Sequence, residues 1–346
     1  MPTKRRESIL KIIVSEYIGT VAPVGSETIV YKYGLGLSSA TVRNDMAALE
    51  DEGFIKRPHP SAGAIPSDKG YRYYVESILD TAKLSPAEQQ TIRHQFHQIE
   101  GSLEEWTRLA ASIITEGVRN VAIATFPKSP RSRIKRLELV LLHDYLALLI
   151  LILQQAQVKR QVIHLSEAHT QDDLILAANV LNDRFDGLTL VGIRARERQL
   201  TPLEQQVMDA TKRIMQEQER KAFEEPYVDG LRYLLGQPEF AGSDMARRLM
   251  ELFEGGAFFK GIIPGVLTSE GLRVIIGDEN QDEVLRHCSL VLGSYGVPGI
   301  ISGMIGVLGP TRLAYGRAIA NVEFISTLLG QMAGEFQRAA PEETPN

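Results

Sequence analysis

The chain has 346 residues, 44% of them hydrophobic and 23% charged, and its formal net charge at pH 7 is −5. This composition excludes a largely disordered chain and a uniformly basic nucleic-acid coat, and the length predicts two or three domains. Cys288 is the single cysteine, which excludes an intrachain disulfide, and the most apolar run, residues 145–153, is too short to span a membrane. With no secretory signal pattern at the N-terminus, we expect a cytoplasmic protein with no membrane partner.

The first 81 residues are predicted to contain three short helices, a hairpin and a fourth helix. Apolar residues recur at helical spacing, glycines follow the helical stretches, and Ser67 provides an N-cap for the fourth helix. The three helices are expected at residues 5–18, 25–33 and 38–53, with short extended segments at 54–58 and 64–66. This order predicts a winged helix-turn-helix over residues 1–81, in which the hairpin forms the wing.

The third helix is predicted to read DNA bases. Val42, Met46 and Leu49 share the face expected to be buried, whereas Asn44 lies on the opposite face among small alanines, with Arg43 beside it. In the major groove an arginine can bond guanine and an asparagine can bond adenine, each through two hydrogen bonds. The helix N-terminus suits a phosphate, and cations near the hairpin could contact the DNA backbone. The candidate DNA-binding residues are Ser38, Ser39, Thr41, Arg43, Asn44, Lys56, Arg57, Ser61, Lys69 and Arg72.

Charge is distributed unevenly along the chain. Residues 1–80 carry ten Lys/Arg and ten Asp/Glu, so this segment is neutral and the net charge of −5 lies in the remainder. DNA binding must therefore depend on a few placed cations rather than on bulk charge. Lys4, Arg5 and Arg6, at the start of the first helix, are further positions expected to reach the DNA backbone.

The remainder of the chain alternates between helical and extended patterns. Residues 82–118 are predicted to be helical with a break at Gly101, and a hairpin centred on His143 and Asp144 follows. Further strands are expected at 161–166, 188–193, 271–280, 288–296 and 303–310, and further helices at 171–184, 202–255 and about 311–337. Strands, a helical block and then strands again predict one α+β domain interrupted by a helical insertion.

Two other classes of function are compatible with single features of the sequence. An enzyme could use Cys288 beside a histidine, or bind a metal through His94, His97 and Glu100, but a buried cysteine and a solvated helix face explain these features more simply. We therefore expect no enzymatic activity, metal or cofactor. A ligand-responsive regulator with the same DNA-binding module stays open as an alternative, because only the signal would differ.

Four segments of the sequence resemble the HrcA family of heat-inducible transcription repressors. They are SSATVRNDMAALEDEG at 38–53, HPSAGAIPSDKGYRYYV at 59–75, IGDEN at 276–280 and GVLGPTRLAYGRAIANVEFI at 306–325. The resemblance implies a bacterial repressor of heat-shock chaperone operons that binds an inverted-repeat operator in double-stranded DNA as a homodimer and is released on heat stress. It also implies that a chaperonin keeps the repressor active. The family usually has a threonine and a basic residue where this sequence has Pro60 and Ala64.

The resemblance further implies a multidomain α+β fold with a winged helix-turn-helix, a GAF-like domain and an inserted dimerisation domain. The predicted boundaries are 1–81 for the winged helix-turn-helix, 82–103 for a helical linker, 104–203 and 259–338 for a discontinuous GAF-like α+β domain, and 204–258 for a helical dimerisation insertion. A symmetric operator requires a symmetric dimer. Because the DNA-binding module is too small to hold one together, we expect the interface in the insertion or in the apolar stripe of residues 92–114.

Overall fold

The protein has a mixed α+β structure with helices and antiparallel sheets. The computed structural model describes residues 2–59, 62–99, 102–126, 132–154, 157–196, 199–221, 226–241, 244–254, 271–297 and 301–339. The chain divides into two compact units, of which unit 1 comprises Met1–Pro127, Pro226–Val297 and Gly303–Asn346, and unit 2 comprises Lys128–Glu225 and Pro298–Ser302. The predicted multidomain α+β class is therefore confirmed.

Unit 1 begins with four helices and a two-stranded hairpin, which we call the N-terminal module (residues 2–78). Its elements are α1 (Lys4–Thr20), α2 (Ser26–Tyr33), α3 (Ser39–Asp51), β1 (Ile55–Lys56), β2 (Ile65–Pro66) and α4 (Asp68–Ile78). The side chains of Thr3, Ser38 and Ser67 accept backbone N–H groups at the starts of α1, α3 and α4, as N-caps do. Gly34 ends α2 with a φ of 58°, a conformation that glycine adopts without strain. The elements follow in the predicted order.

A third extended segment completes the hairpin. β1 and β2 are antiparallel, and Val24, between α1 and α2, pairs with Ala64 through backbone hydrogen bonds of 2.8 and 2.9 Å. A Cβ on Gly63 would lie 2.6 Å from the carbonyl carbon of Val24, so a larger residue would force the two segments apart. Ala64 is fully buried. A basic residue at this position would therefore be buried rather than presented to DNA.

Two further helices lead from the N-terminal module to a central sheet. α5 (Pro86–His97) and α6 (Leu103–Val118) each begin with a capping box, formed by Ser85 with Glu88 and by Ser102 with Glu105. The following strand, β3 (Val121–Ala124), is buried along its length. The predicted break in the helical stretch is confirmed, although Gly101 itself lies outside the described residues.

Unit 2 is built on a three-stranded antiparallel sheet in the order β4-β5-β6. Its elements are β4 (Ile134–His143), β5 (Leu146–Leu153), β6 (Gln157–His164), α7 (Gln171–Phe185), α8 (Leu190–Arg196) and α9 (Pro202–Lys221). The predicted hairpin at residues 143–144 is confirmed. The prediction of a strand over 188–193 is wrong, because Thr189 accepts the N–H of Gly192 and starts a helical turn that buries Leu190 and Ile193.

The chain then returns to unit 1 and completes a five-stranded sheet. The elements are β7 (Tyr227–Asp229), α10 (Leu231–Leu235), α11 (Asp244–Glu254), β8 (Leu272–Ile276), β9 (Cys288–Val297), β10 (Ile301–Pro310) and α12 (Tyr315–Ala339). The strand order is β7-β3-β10-β9-β8. α6 and α12 pack against each other, and they contact β3 and β9 respectively. The helical block predicted for 202–255 is therefore interrupted by β7, which pairs with β3.

Each unit has its own hydrophobic core. The first core joins the N-terminal module to the five-stranded sheet and α12, whereas the second core is built from β4–β6 and α7–α9. The observed boundaries therefore differ from the predicted ones, since strands 134–164 fold with α9 in unit 2 and residues 204–258 are divided between the two units. Local periodicity cannot decide which strands share a core, because strands of both sheets carry the same apolar signal.

Among the residues described, no helix combines the length and the apolar character that crossing a bilayer requires.

Candidate nucleic-acid interface

One face of α3 is free to meet another molecule. Val42, Met46 and Leu49 are buried, whereas Arg43 and Asn44 are exposed, as predicted. Within the part of the chain that the structure describes, neither side chain has a hydrogen bond or an ion pair. The alanines at positions 40 and 47 are exposed as well, so no bulky side chain shields the two polar groups. A helix with this surface can approach base edges closely.

Asp45, on the opposite side of α3, fixes the helix to the start of α1. Its carboxylate accepts hydrogen bonds from Arg5 Nε and Nη2 at 2.6 and 3.0 Å and from Arg6 Nε at 3.4 Å. The Asp45 side chain is only 3% exposed. The hydrogen bonds from Arg5, followed by those from Arg6, hold the pKa of Asp45 below its ordinary value although burial opposes this shift. Arg5 and Arg6 are thus engaged within the N-terminal module, and their contact with a phosphate stays a prediction.

A second carboxylate fixes α2 in the same way. Glu16 on α1 accepts hydrogen bonds from Lys32 Nζ at 2.7 and 2.8 Å and from the Tyr33 hydroxyl at 2.5 Å. These two donors, Lys32 first, lower the pKa of Glu16. α1 thus holds both α2 and α3 through ionic contacts, which limits the rotation of α3 relative to α2. The contacts of Asp45 and Glu16 were not predicted from the sequence, although an acidic residue within the apolar face of α3 indicates a buried, paired carboxylate.

The N-terminus of α3 is ordered by its own hydroxyl groups. Ser38 Oγ accepts the N–H of Thr41 at 3.1 Å and lies 2.8 Å from Thr41 Oγ1. Ser39 Oγ lies 3.1 Å from Ser26 Oγ at the start of α2. The N–H groups of Ser39 and Ala40 have no acceptor within the helix, because a helix cannot satisfy its first turn. This end of α3 therefore offers donors of the kind that bind a phosphate.

The cations near the hairpin differ in their freedom. Lys56 is exposed and has no partner among the described residues, whereas Arg57 Nε lies 3.4 Å from a carboxylate oxygen of Glu50. Lys69 Nζ donates to the carbonyl of Glu52 at 2.7 Å and lies 4.4 Å from the centroid of the Phe54 ring. Ser61 lies outside the described residues. Lys56 is thus the predicted wing cation with the fewest competing contacts.

Arg72 is engaged within unit 1, which corrects its assignment as a DNA contact. Its guanidinium bonds both carboxylate oxygens of Glu279, with Nε at 2.8 Å from Oε1, and its Nη2 donates to the carbonyl of Val274 at 2.8 Å. A bidentate pair with a carboxylate would have to break before the side chain could reach a phosphate. We therefore remove Arg72 from the candidate DNA-binding residues.

The one cysteine is a core residue rather than a nucleophile. Cys288 is fully buried, and burial, assisted by the charges of Asp282 and Glu239, raises its pKa to about 12. The thiol is therefore protonated at neutral pH and cannot act as a nucleophile. The described residues contain no group of three or more His, Cys, Asp and Glu side chains able to hold a metal ion.

Comparison with known proteins finds one matching family model and relatives of nearly full length. The family model described as the HrcA protein C terminal domain matches residues 104–319. A protein named heat-inducible transcription repressor HrcA from Chloroflexus aggregans is 40% identical, covering 99% of this chain and 96% of that protein. Its namesake from Dehalococcoides mccartyi (strain ATCC BAA-2100) is 41% identical over 99% of each chain. These relatives are transcription repressors, which confirms the prediction that the chain is not an enzyme.

One solved structure has the same fold over nearly the whole chain. It is a crystal structure of a hypothetical protein, with a TM-score of 0.62 over 97% of this chain and 99% of that one, at 22% sequence identity.

Proposed function

The chain belongs to the HrcA family of heat-inducible transcription repressors, and from this we propose that it represses chaperone operons by binding an inverted-repeat operator as a homodimer. The N-terminal module acts as a winged helix-turn-helix, with α2 and α3 as the helix-turn-helix and β1–β2 as the wing. The observation that carries this proposal is the pair of exposed side chains on α3, Arg43 and Asn44, neither of which has a partner among the described residues. They are the groups that discriminate guanine and adenine in the major groove.

The N-terminal module supports this proposal by the way it holds α3. Buried apolar residues and the Asp45 carboxylate fix the inner face of the helix, so the outer face keeps one orientation. The N–H groups at the start of α3 and the exposed Lys56 are suited to contact the DNA backbone, and such contacts set the register of a protein on the duplex. Arg57 and Lys69 can add to this attraction, but each would first release an internal contact.

The test is a gel shift with the full chain and a duplex that carries an inverted repeat from the promoter of a chaperone operon. We expect the wild type to bind this duplex and not a scrambled duplex of the same composition, while Arg43→Ala and Asn44→Ala lose the preference. Arg247→Ala is the matched control, because Arg247 is an exposed arginine whose ion-pair partners among the described residues, Asp244 and Glu251, belong to its own helix. Equal binding of both duplexes by the wild type would overturn the proposal.

We assign homodimerisation to the outward face of the three-stranded sheet in unit 2, which differs from the two interfaces expected from the sequence. The apolar stripe of residues 92–114 is buried in the first core, and residues 204–258 are divided between the two units. Alternate residues of β5 are buried on the inner face, and the others are half-buried and apolar. The flanking strands add exposed valines to the outward face, with Val140 at 41% and Val162 at 50% exposure, both opposite Leu148. An exposed apolar patch of this kind is typical of a protein interface.

The charged residues on the same face of the sheet favour a second copy of this chain as its binding partner. Glu138 on β4 and Arg160 on β6 flank Ile150 on β5 in a single row across the sheet. The Glu138 carboxylate also accepts a hydrogen bond from Arg136 Nε of its own strand at 2.6 Å, so it would share or exchange this partner at the interface. If two copies pack face to face with a two-fold axis along β5, each Glu138 lies opposite Arg160 of the other copy. The Val140–Leu148–Val162 row meets itself under the same symmetry, as an isologous interface requires.

The remaining parts of the proposal concern the sensor domain and the chaperonin. The five-stranded sheet with α6 and α12 is the GAF-like domain. The β5 sequence LALLILIL contains no charge and no proline, so it would bind apolar surfaces and aggregate if unit 2 unfolded. A chaperonin would then keep the repressor folded, and heat would release the operator by drawing the chaperonin to other proteins.

Heat treatment tests the chaperonin step. The chain is heated until operator binding is abolished and then cooled, with or without a chaperonin and ATP. We expect binding to return only when both are present, because the unfolded chain aggregates through β5. Complete recovery without the chaperonin would exclude this part of the proposal.

A further inference from the structure

The N-terminal module is clasped to the rest of unit 1 by polar contacts from one face of α4. Asp68 Oδ2 accepts the N–H of Asp278 at 2.8 Å. One turn further along α4, Arg72 bonds the Glu279 carboxylate and the carbonyl of Val274. Asp278 and Glu279 lie in the turn 277–279 that directly follows β8, and Val274 is the central residue of that strand. We call this set of contacts the α4 clasp.

The α4 clasp is closely fitted. Gly277 has a φ of 49°, and a Cβ on it would overlap the carboxylate of Asp68. The Glu279 carboxylate also accepts the N–H of Ile276 at 2.9 Å, which fixes its orientation toward Arg72. Beside these polar contacts, the ring of Tyr71 lies 5.7 Å from that of Tyr315 on α12. Both tyrosines are buried, at 3% and 0% exposure.

α4 is in turn packed against the segment that directly follows α3. A Cβ on Gly70 would overlap the carbonyl oxygen of Phe54, and Lys69 Nζ bonds the carbonyl of Glu52. Ser67 Oγ donates to the carbonyl of Gly53 at 2.6 Å. A change in the position of α4 is therefore transmitted to the C-terminal end of α3 through contacts with its backbone.

We propose that Asp68 and Arg72 are positioning residues, which hold the N-terminal module at one angle to the remainder of unit 1 and thereby select the distance between the two operator half-sites. The inference rests on the proposed function, because it presumes a dimer that reads two half-sites. A dimer of two-fold symmetry binds half-sites of one spacing only if α3 of each copy keeps a fixed orientation relative to the rest of that copy. Without the clasp, the two α3 helices, which are the reading helices of this proposal, still recognise the same bases but tolerate several spacings.

The test is selection of bound duplexes by the full chain from a random-sequence library, followed by sequencing. We expect the wild type to enrich an inverted repeat with one dominant spacing. Arg72→Ala and Glu279→Gln should enrich the same half-site sequence with spacings spread over about 5 bp, half a helical turn of about 10 bp. The affinity of these two variants for a duplex of the wild-type spacing should fall about tenfold, because the second copy of the dimer binds the second half-site at a lower effective concentration. Their affinity for a single half-site should be unchanged.

Two further variants guard against a trivial result. The conservative variant Arg72→Lys, whose ammonium can still donate to Glu279 and to the carbonyl of Val274, should keep the dominant spacing that Arg72→Ala loses, which a merely structural effect of the truncation would not explain. Arg247→Ala, in an exposed ion pair within α11, should behave as the wild type.

Three results would overturn the inference. In the first, Arg72→Ala and Glu279→Gln keep the wild-type spacing. In the second, Arg72→Ala weakens binding to every duplex and lowers the salt dependence while Glu279→Gln does neither, which would make Arg72 a phosphate contact. In the third, the wild type enriches no inverted repeat, which contradicts the proposed function itself and is distinguishable from the other two.

Discussion

At the scale of single residues, two carboxylates fix the orientation of α3, the helix proposed to read DNA bases. Asp45 on α3 bonds Arg5 at the N-terminal end of α1, and Glu16 near the C-terminal end of α1 bonds Lys32 on α2. Arg43 and Asn44 precede Asp45 directly in sequence but are exposed where Asp45 is buried, so the same turn of α3 provides both an anchor and a reading surface. Acidic residues of the N-terminal module thus have a structural role, since Asp45 and Glu16 pair with cations of neighbouring helices.

Substitution of Asp45 tests the anchor. Asp45→Asn should lower the free energy of unfolding by about 2 kcal/mol at pH 7, because the buried side chain loses its charge-assisted hydrogen bonds. Asn44→Asp, one residue away and exposed, is the matched control and should leave the stability nearly unchanged. Urea denaturation of the three proteins measures both differences. A variant Asp45→Asn as stable as the wild type would show that the contact with Arg5 contributes nothing.

The same carboxylate predicts a pH dependence. Because the pKa of Asp45 is lower in the folded protein than its ordinary value of 3.8, its contribution to stability is fully present above that value and is lost as the pH falls through the folded pKa. The difference in stability between wild type and Asp45→Asn should therefore be constant from pH 7 to about pH 5 and shrink below about pH 4. A difference that stayed constant down to about pH 3 would contradict the assigned pKa shift.

At the scale of elements, the N-terminal module was largely predictable and the clasp was not. Helix periodicity, the capping serines and the glycine after α2 locate α1–α4 and the hairpin, because these signals act within a few residues. Arg72 was misassigned because its partner Glu279 is 207 residues away in sequence. The boundaries of unit 2 could not be derived for the same reason, since strand pairing over long separations leaves no local signal.

The close approach of α4 to the segment after α3 can be tested with a glycine substitution. Gly70→Ala should lower the free energy of unfolding by about 2 kcal/mol or more, because the added Cβ would overlap the Phe54 carbonyl oxygen, which is part of the backbone. Gly19→Ala is the matched control, because Gly19 lies in α1 with no atom within 4 Å of the added Cβ. It should stabilise the protein by about 0.5 kcal/mol. Equal effects of the two substitutions would argue against the packing described.

At the scale of the whole molecule, each unit is assigned a separate task. Unit 1 contains the reading helix, the α4 clasp and the central sheet, and unit 2 offers the apolar sheet face proposed to bind a second copy. The first core continues from the N-terminal module into α12, so α3 and the central sheet share one hydrophobic core. The division explains how a module without bulk positive charge could bind DNA, because two copies held together bind two half-sites at high effective concentration.

The interface proposed for unit 2 can be tested by measuring the oligomeric state. Ile150→Asp, at the centre of the outward face of the sheet, should convert the dimer to a monomer in size-exclusion chromatography with light scattering. Val191→Asp is the matched control, because Val191 is 68% exposed on α8 of the same unit. Glu138→Arg should weaken the dimer at least about tenfold through like-charge repulsion, and addition of Arg160→Glu should restore it. A stable Ile150→Asp dimer would exclude this face.

The central claim, that α3 reads sequence through Arg43 and Asn44, is tested most directly by the ratio of affinities for the operator and for operators changed at single base pairs. We predict that Arg43→Ala and Asn44→Ala each reduce this ratio at one base position of the half-site by about 10- to 100-fold. Lys56→Ala should weaken binding to every sequence without changing the affinity ratios. It should also lower the slope of log affinity against log salt concentration by about one for each phosphate that is no longer neutralised. If Arg43→Ala and Asn44→Ala discriminate between the duplexes as the wild type does, α3 does not read the operator through these residues.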